Sequence, residues 1–268
     1  MLAEACSVSL YAYAVMSNHL HVVLKLDAVA AGNWSDEEVA RRWCRIFPGK
    51  GDPKAIELRV QDIVNSPELV SQRRDSLRDL GFFMGRLNDF IARRSNVEDD
   101  CTGRFWQGRY KSQLLLDERA MLAAMVYADL NPIRAKLTTQ LKSSDHTGIK
   151  RRITLLKGSP LLAKLALAPI AGVPQEGMSI QAKDYLALVD YSGRQWHHAK
   201  PGRIPAAVPP ILQQMKLDPR KWNQQLRGVG ARRVITLGSV EALVDKAIEL
   251  GRHWLIGIGL ARMLAKPA

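Results

Sequence analysis

Two histidines one residue apart are the first side chains in this sequence whose types and spacing suit chemistry. His19 and His21 lie in the largely apolar run AVMSNHLHVVLK, residues 14–25. In a β-strand, residues two apart point to the same face, and two rises of about 3.4 Å put their Cβ atoms roughly 7 Å apart. Two imidazoles at that spacing can bind one metal ion about 2 Å from a nitrogen of each ring. The pair therefore allows a metal site, although two ordinary half-buried histidines are the commoner reason for this pattern.

A predicted β-hairpin positions these histidines. Val8–Val15 and His19–Leu26 are two β-like runs, and Ser17 and Asn18 between them have the composition of a tight turn. The histidines therefore open the second strand of the hairpin.

The composition indicates a globular protein whose binding partner carries many phosphate groups. The 268 residues are 47% hydrophobic, which is enough for a substantial core and favours two domains over one. The 39 Lys and Arg against 26 Asp and Glu give a net charge of +13, as in nucleic-acid-binding proteins. An anionic membrane surface is the competing interpretation. However, no stretch has the length of a membrane span, and the start lacks the plan of a signal peptide, so we expect no membrane partner.

The cysteines point to a reducing compartment. Cys6, Cys44 and Cys101 are odd in number and have no metal-ligand spacing, which argues against a disulfide framework and against a zinc ribbon. We therefore expect a cytoplasmic protein with reduced thiols.

Three helices are predicted after the hairpin. Capping and periodicity indicate helices from about Ser35 to Phe47, from about Lys54 to Val64, and from about Glu68 to Ser95. Six arginines lie off the apolar face of the third helix. A row like this is typical either of a solvated helix face or of a surface that follows a nucleic-acid backbone, and the sequence leaves both open. These residues are Arg73, Arg74, Arg78, Arg86, Arg93 and Arg94.

A loop at residues 101–116 alternates basic and aromatic residues. It contains Gly103 and Gly108 and is predicted to continue as a strand from about Arg109. Such a mixture can bind phosphates and stack the bases of a single strand. Alternatively, Phe105 and Trp106 close the core, and Arg109 pairs with a carboxylate. The residues of this mixture are Arg104, Phe105, Trp106, Arg109, Tyr110 and Lys111.

The next helix holds a candidate nucleophile. Asp117 is the predicted N-cap, and the helix should end near Asn131 and Pro132. Tyr127 and Asn131 are four residues apart and so are expected on one face. A helical tyrosine is usually a packing residue, but an amide on the same face is a potential metal ligand.

Three blocks of this sequence together resemble a known family. They are MSNHLH at residues 16–21, GRFWQGRYKS at 103–112 and YADLNPIRA at 127–135. In this order, over roughly residues 10–140, they resemble the single-tyrosine HUH transposases, in particular the branch of REP-associated tyrosine transposases. The resemblance implies that His19 and His21 are the metal-binding pair, that Tyr127 is the nucleophile and that Asn131 is a third metal ligand. The residues expected to contact DNA are Arg104, Phe105, Trp106, Arg109, Lys111 and Arg134.

The implied reaction is the cleavage and rejoining of single-stranded DNA at a hairpin, such as a folded palindrome. A divalent cation neutralises the phosphate and stabilises the leaving oxygen, and imidazole, amide oxygen and water suit Mg²⁺ or Mn²⁺. Tyr127 would take the 5′ end as a phosphotyrosine and leave a free 3′-hydroxyl. That hydroxyl can reseal the strand without a nucleotide cofactor. A homodimer is compatible with this expectation.

The implied fold is α+β, with a ferredoxin-like antiparallel sheet flanked by helices. The family has a strand and a helix before the hairpin, whereas only 18 residues precede His19, so the first strand is expected to be missing. We predict a catalytic domain at 1–157, a linker at 158–178 rich in Pro, Gly and Ala, and a helical accessory domain at 179–268.

Two roles are open for the accessory domain and for the whole chain. In the accessory domain, basic residues favour DNA contact over a purely structural or dimerising role. For the whole chain, the alternative to the enzyme is a truncated or domesticated binder of DNA or structured RNA. The basic residues of the accessory domain are Arg203, Arg220, Lys221, Arg227, Arg232 and Arg233.

Overall fold

The chain is a mixed α/β protein dominated by helices, with three small sheets in the part described below. The structure, a computed structural model, describes residues 1–138, 140–173, 177–196, 210–214, 218–231 and 233–266. Arg203 and Arg232 of the predicted accessory domain lie outside the described residues.

Helices predominate among the described elements, and the strands are short apart from the first two. The helices are α1 Leu2–Ala5, α2 Ala28–Gly32, α3 Asp36–Ile46, α4 Pro53–Val64, α5 Pro67–Leu77, α6 Leu80–Glu98, α7 Glu118–Asp129, α8 Asn131–Arg134, α9 Gly148–Gly158, α10 Ala182–Trp196, α11 Pro210–Gln214, α12 Pro219–Gly228, α13 Val240–Glu249 and α14 Ile258–Ala265. The strands are β1 Val8–Val15, β2 Leu20–Leu26, β3 Leu114–Leu115, β4 Ala166–Leu167, β5 Ala171–Gly172, β6 Met178–Gln181 and β7 Thr236–Leu237.

The described residues group into two compact units that do not follow the predicted domain boundary. One is drawn from Met1–Leu10, Leu24–Lys111 and Pro169–Gln175, and the other from Tyr11–Val23, Ser112–Ala168 and Glu176–Ala268. The second unit thus joins residues from both predicted domains, 1–157 and 179–268. The physical reason is a shared core, because Leu122 of α7, Leu188 of α10 and Leu226 of α12 belong to one buried cluster.

The predicted hairpin is confirmed, with a small shift in its second strand. β1 has the predicted bounds, whereas β2 begins at Leu20, so that His19 lies in the turn and His21 in the strand. The backbone N–H of Met16 donates to the carbonyl oxygen of His19 at 2.9 Å and closes that turn. The sheet has the order β2-β1-β5, and in the described residues β2 is therefore an edge strand.

β5 completes the other edge of β1. The strands are antiparallel, with Ser9 opposite Gly172. Gly172 has a φ of 104°, and a Cβ there would lie 1.9 Å from the carbonyl oxygen of Val8, so only glycine fits.

The helices of the first unit follow their capping signals. Ser35 accepts a hydrogen bond from the Glu38 N–H and starts α3, as predicted. α4 also has nearly its predicted bounds. The single long helix predicted from 68 to 95 is wrong, because it is divided into α5 and α6. Asp79 causes the division, since its carboxylate accepts from the Phe82 N–H at 2.7 Å and caps a new helix.

The six arginines of α5, α6 and their junction are matched by partners within the first unit. Arg73 lies over the Trp43 ring, with 4.1 Å from its guanidinium carbon to the ring centroid. The other five are in ion pairs with acidic side chains. This pattern favours a paired, solvated helix surface over a row of free cations. The ion pairs are Arg74–Asp36, Arg78–Asp75, Arg86–Asp89, Arg93–Asp89 and Arg94–Glu98.

The core of the second unit is built around α7. Eight of its 12 residues are buried, as in a helix covered on most sides. Asp117 caps it as predicted, because one carboxylate oxygen accepts from the Ala120 N–H at 2.8 Å. The other oxygen accepts from the Ser239 N–H at 2.6 Å, which joins α7 to the start of α13.

The strand predicted from about Arg109 is much shorter in the structure. β3 contains only Leu114 and Leu115, and it pairs in parallel with β7. Residues 104–113 lie in no strand. In the described part of the chain, no helix combines the length and the apolar composition needed to cross a membrane.

Candidate functional site

The structure brings together four of the predicted site residues, His19, His21, Tyr127 and Arg134, all within the second unit. The ring centroids of His19 and His21 are 4.9 Å apart, and those of His21 and Tyr127 are 5.5 Å apart. Both pairs are edge-on, with interplanar angles of 87° and 86°. The turn, β2 and α7 thus meet at one point and present two imidazoles and a phenol.

His19 is oriented by its neighbour in the turn. Its Nδ1 lies 2.7 Å from Oδ1 of Asn18. An amide oxygen only accepts, so Nδ1 carries the proton in the neutral ring and Nε2 keeps its lone pair. Metal-binding histidines are commonly held in this way, by a hydrogen bond to the nitrogen that does not bind the metal.

His21 is kept neutral by its surroundings. Burial removes the water that would solvate an imidazolium, and His19 and Arg134 oppose a further positive charge nearby. Together they lower the pKa of His21 to about 4. At neutral pH its ring therefore also has a lone pair available for a metal ion.

Tyr127 is half-buried between His21 and Arg134. The guanidinium carbon of Arg134 lies 4.3 Å from the centroid of the Tyr127 ring. Arg134 ends α8 and is seven residues beyond Tyr127, about two helical turns. A guanidinium beside a phenol is suited to bind the charge of a phosphate that the phenol oxygen attacks.

Asn131 does not lie on the same helix as Tyr127. α7 ends at Asp129, and Asn131 opens α8 with only 7% of its surface exposed. Pro132 explains the break, because it has no backbone N–H to donate within a continuous helix. Tyr127 and Asn131 therefore belong to consecutive helices joined by Leu130, and Asn131 remains the predicted third ligand by resemblance.

The donor set fits a hard divalent cation bound with water. Two imidazoles whose ring centroids are 4.9 Å apart are close enough to share one ion about 2 Å from a nitrogen of each. Within the described residues, no three histidine, cysteine, aspartate or glutamate side chains are grouped to hold a metal ion. By the resemblance, the amide of Asn131 would be the third protein ligand, and imidazole, amide oxygen and water suit Mg²⁺ or Mn²⁺.

The predicted DNA-binding loop belongs to the first unit. Trp106 is half-buried, and its Nε1–H donates to the Asn88 carbonyl oxygen at 2.9 Å. Phe105 meets the Trp106 ring edge-on and is 41% exposed, so it does not close the core. Arg104, Arg109 and Lys111 are exposed, and none of them forms an ion pair with a described carboxylate. The loop thus keeps a free aromatic face and free cations.

A cavity of about 420 Å³ opens beside Tyr127 in the second unit. Three of its lining side chains are cations, and three are apolar. No local sequence pattern connects Lys136 or Arg227 with Tyr127, because these residues meet only through the packing of α7, α8 and α12. The lining residues are Tyr127, Ile133, Arg134, Lys136, Leu226, Arg227 and Val229.

The loop after α12 approaches the Tyr127 hydroxyl closely. Gly230 has a φ of 71°, and a Cβ at that position would lie 3.1 Å from the phenol oxygen. Gln113 holds this loop, because its Nε2 donates to the carbonyl oxygens of Gly228 at 3.1 Å and Val234 at 2.6 Å. Its Oε1 accepts from the Gly230 N–H at 3.3 Å. The sequence analysis missed both Gln113 and Gly230.

No match was found to a known protein family, a curated protein or a solved structure.

A second polar cluster lies in the core, on the other side of α7. The carboxylate of Asp129 accepts from the Tyr185 hydroxyl at 2.5 Å and from the Ile149 N–H at 3.0 Å. Burial raises the pKa of Asp129 to about 7 and raises that of Tyr185 well above its ordinary value. The buried guanidinium of Arg152 donates to the carbonyl oxygen of Tyr11 at 2.7 Å. This cluster joins α7, α9, α10 and β1 within the core.

Proposed function

We propose that this chain is a metal-dependent DNA strand transferase of the single-tyrosine HUH type, similar to the REP-associated tyrosine transposases. It cleaves and rejoins single-stranded DNA at a hairpin or palindrome through a 5′-phosphotyrosine. The observation that carries the proposal is the 5.5 Å contact between the rings of His21 and Tyr127, which come from separate blocks of the resemblance. Arg134, from the third block, lies over the same phenol ring.

The reaction follows from the side chains around Tyr127. Its oxygen attacks the phosphorus and loses its proton to water, the bond from phosphorus to the 3′-oxygen breaks, and that oxygen takes up a proton. Arg134 binds a non-bridging oxygen and offsets its charge. A Mg²⁺ or Mn²⁺ ion held by His19 and His21 would supply further neutralisation and stabilise the leaving oxygen. Attack by the free 3′-hydroxyl on the phosphotyrosine reverses the step and rejoins the strand.

The wider proposal includes the fold and the partner. The ferredoxin-like arrangement implied by the resemblance is supported by the antiparallel hairpin of β1 and β2. Single-stranded DNA is the proposed partner of the exposed cations and aromatic face at Arg104, Phe105 and Arg109. A cytoplasmic location and a possible homodimer are part of the same proposal.

A non-catalytic nucleic-acid binder is the second candidate. The loop of the first unit favours it, because its exposed cations and Phe105 suffice to bind a strand without any reaction at Tyr127. A truncated or domesticated derivative would keep this surface and lose the chemistry.

The decisive experiment detects the covalent link. Labelled single strands with a hairpin flanked by randomised bases are incubated with the protein and Mn²⁺, and adducts are resolved on a denaturing gel. The wild type should form a protein–DNA band, and Tyr127→Phe should form none while keeping its fold and its DNA affinity. Tyr110→Phe is the matched control and should form the band. His21→Ala should lose the Mn²⁺-dependent band but still bind DNA.

Two results would count against the enzyme. An adduct that persists in Tyr127→Phe would refute the nucleophile. Absence of any adduct from the wild type, with DNA bound, would favour the non-catalytic binder.

A further inference from the structure

Lys136 has a backbone conformation that usually belongs to glycine. Its φ is 58°, in the left-handed region, where the Cβ of an L-residue is crowded by the following carbonyl oxygen. Lys136 follows the end of α8. Its N–H donates to the Ile133 carbonyl oxygen at 3.1 Å, and the N–H of Leu137 donates to that of Pro132 at 2.9 Å. These are the two bonds of a Schellman motif, in which glycine is the usual residue at the position of Lys136.

A lysine kept in this strained conformation indicates that its side chain has a function. Glycine would end α8 with less strain, whereas lysine adds a cation on a long stem. That cation lines the cavity that also contains Tyr127. Backbone strain of this kind is concentrated at functional and ligand-binding sites, where the side chain is needed in one place.

A second cation outside the predicted site also lines the cavity. Arg227 lies in the last turn of α12, in the region predicted as an accessory domain, and it lines the cavity with Lys136 and Arg134. No acidic side chain is among the lining residues. Neither Lys136 nor Arg227 forms an ion pair with a carboxylate in the described part of the chain. The field in the cavity is therefore positive and selects an anion.

The cavity is larger than a phosphate group needs. Its volume of about 420 Å³ has room for a phosphate with its sugar. Ile133, Leu226 and Val229 give it apolar walls suited to the carbon atoms of that sugar. A nucleotide unit of a strand matches this combination of three cations and apolar surface better than a free inorganic anion does.

We propose that Lys136 and Arg227, together with Arg134, form an anion site that binds a backbone phosphate of single-stranded DNA next to the phosphodiester attacked by Tyr127. This inference rests on the proposed function, because it takes the strand to be the one that Tyr127 cleaves. A strand with one phosphate at the phenol oxygen brings the adjacent nucleotide to the same cavity. Arg227 then makes α12 part of the substrate site.

The test measures DNA affinity in a Tyr127→Phe background, so that binding is separated from cleavage. The probe is a labelled single-stranded hairpin oligonucleotide, titrated over a range of salt concentrations. Lys136→Gly should weaken binding about threefold to tenfold and make the slope of log affinity against log salt shallower by about 0.7, as expected for one lost phosphate contact on a single strand. Its thermal midpoint should stay the same or rise, because glycine relieves the strain at this position.

Matched variants separate this site from general surface charge. Arg227→Gln should lose affinity and slope like Lys136→Gly, whereas Arg220→Gln, at the other end of α12 and outside the cavity, should change the slope much less. Lys136→Arg keeps both charge and strain and should restore most of the affinity. Arg227→Gln also tests the site if Lys136→Gly fails to fold.

The outcomes of this test are independent of the adduct assay. If Lys136→Gly and Arg227→Gln bind DNA with the affinity and slope of Arg220→Gln, the anion site is refuted even when the wild type forms the adduct. If both variants weaken binding but no adduct forms, the anion site stands and the enzyme fails. A loss of affinity for single-stranded RNA of the same length, without a loss for DNA, would also overturn the proposal.

Discussion

Two tyrosines of the second unit have opposite surroundings. Tyr127 is half-buried, beside the imidazole of His21 and the guanidinium of Arg134 and at the wall of an open cavity. Tyr185 is fully buried and donates its hydroxyl to Asp129. α7 accounts for both settings, because Tyr127 and Asp129 are two residues apart and so about 200° apart around the helix. One side of α7 thus faces the open cavity, and the other faces the core.

The comparison shows that two phenols of the same residue type differ in their burial and in their access to open space. Burial raises the pKa of Tyr185 well above its usual value. The Tyr185 hydroxyl donates a hydrogen bond to the buried Asp129. Tyr127 lines a cavity with space for an incoming group. A polar cluster with its donors matched internally stabilises the fold, whereas an open one can bind a ligand.

The largest expected effect separates the two clusters by stability. Asp129→Ala should lower the free energy of unfolding by about 3–5 kcal/mol, because it leaves the Tyr185 hydroxyl and the Ile149 N–H buried without an acceptor. Tyr127→Phe should lower it by less than about 1 kcal/mol, in the range of ordinary polar substitutions. Urea unfolding followed by circular dichroism measures both. Similar losses in the two variants would contradict the distinction between a structural and an open cluster.

The second prediction uses the pH dependence of the buried carboxyl. The folded state raises the pKa of Asp129 from 3.8 to about 7, so it holds a proton that the unfolded chain has lost. The contribution to stability is therefore full below about pH 4, is lost as pH rises toward 7, and stays constant above that. Tyr185, Arg152 and the Ile149 N–H surround the carboxyl, and burial outweighs their opposite effects.

Asp129→Asn should remove this dependence, since an amide does not titrate. The free energy of unfolding of the wild type minus that of the variant should fall between about pH 4 and 7, measured in EDTA. His21 contributes with the opposite sign over a similar range, because its folded pKa is lowered to about 4, and subtraction cancels that contribution. A difference that is constant with pH would show that Asp129 is ionised in the fold throughout this range.

The smallest effect concerns the loop that approaches Tyr127. Gln113→Ala removes the bonds to Gly228, Val234 and Gly230 and should cost about 1–2 kcal/mol of stability. It should also slow adduct formation several-fold, because the loop is no longer held against the phenol. Gln72→Ala, at an exposed glutamine of α5 outside the loop at 101–116, is the control and should change neither quantity. Slower adduct formation in both variants would contradict a specific role for Gln113.

Local signals explain which parts of the fold were predictable. The hairpin and the start of α7 follow from turn composition and from the cap at Asp117, which act over a few residues. The break at Asp79 was missed because apolar periodicity continues through it, while its carboxylate competes for the backbone. The end of α7 close to Asn131 and Pro132 was predicted from the proline, whereas the short helix α8 that starts at Asn131 was not.

The cavity beside Tyr127 was beyond local reasoning. Its residues come from α7, α8 and α12, and these meet only because their apolar faces share one core. Arg227 looked like one basic residue among many in the sequence. Lys136 stands just after the third block, and nothing in its type signals a left-handed backbone. Proximity of this kind depends on tertiary packing, which sequence periodicity does not encode.

The pairing of β1 with β5 has a consequence for the order in which the chain can fold during synthesis. Ser9 donates its hydroxyl to the Val173 carbonyl oxygen at 2.7 Å, and the Val173 N–H donates to that of Val8 at 3.0 Å. These hydrogen bonds join residues 8 and 9 to residue 173, and contacts between residues so distant in the sequence form slowly. While the ribosome is still making the segment before Val173, β1 keeps an open edge that another strand could occupy. A fragment that stops at residue 157 would retain that open edge permanently.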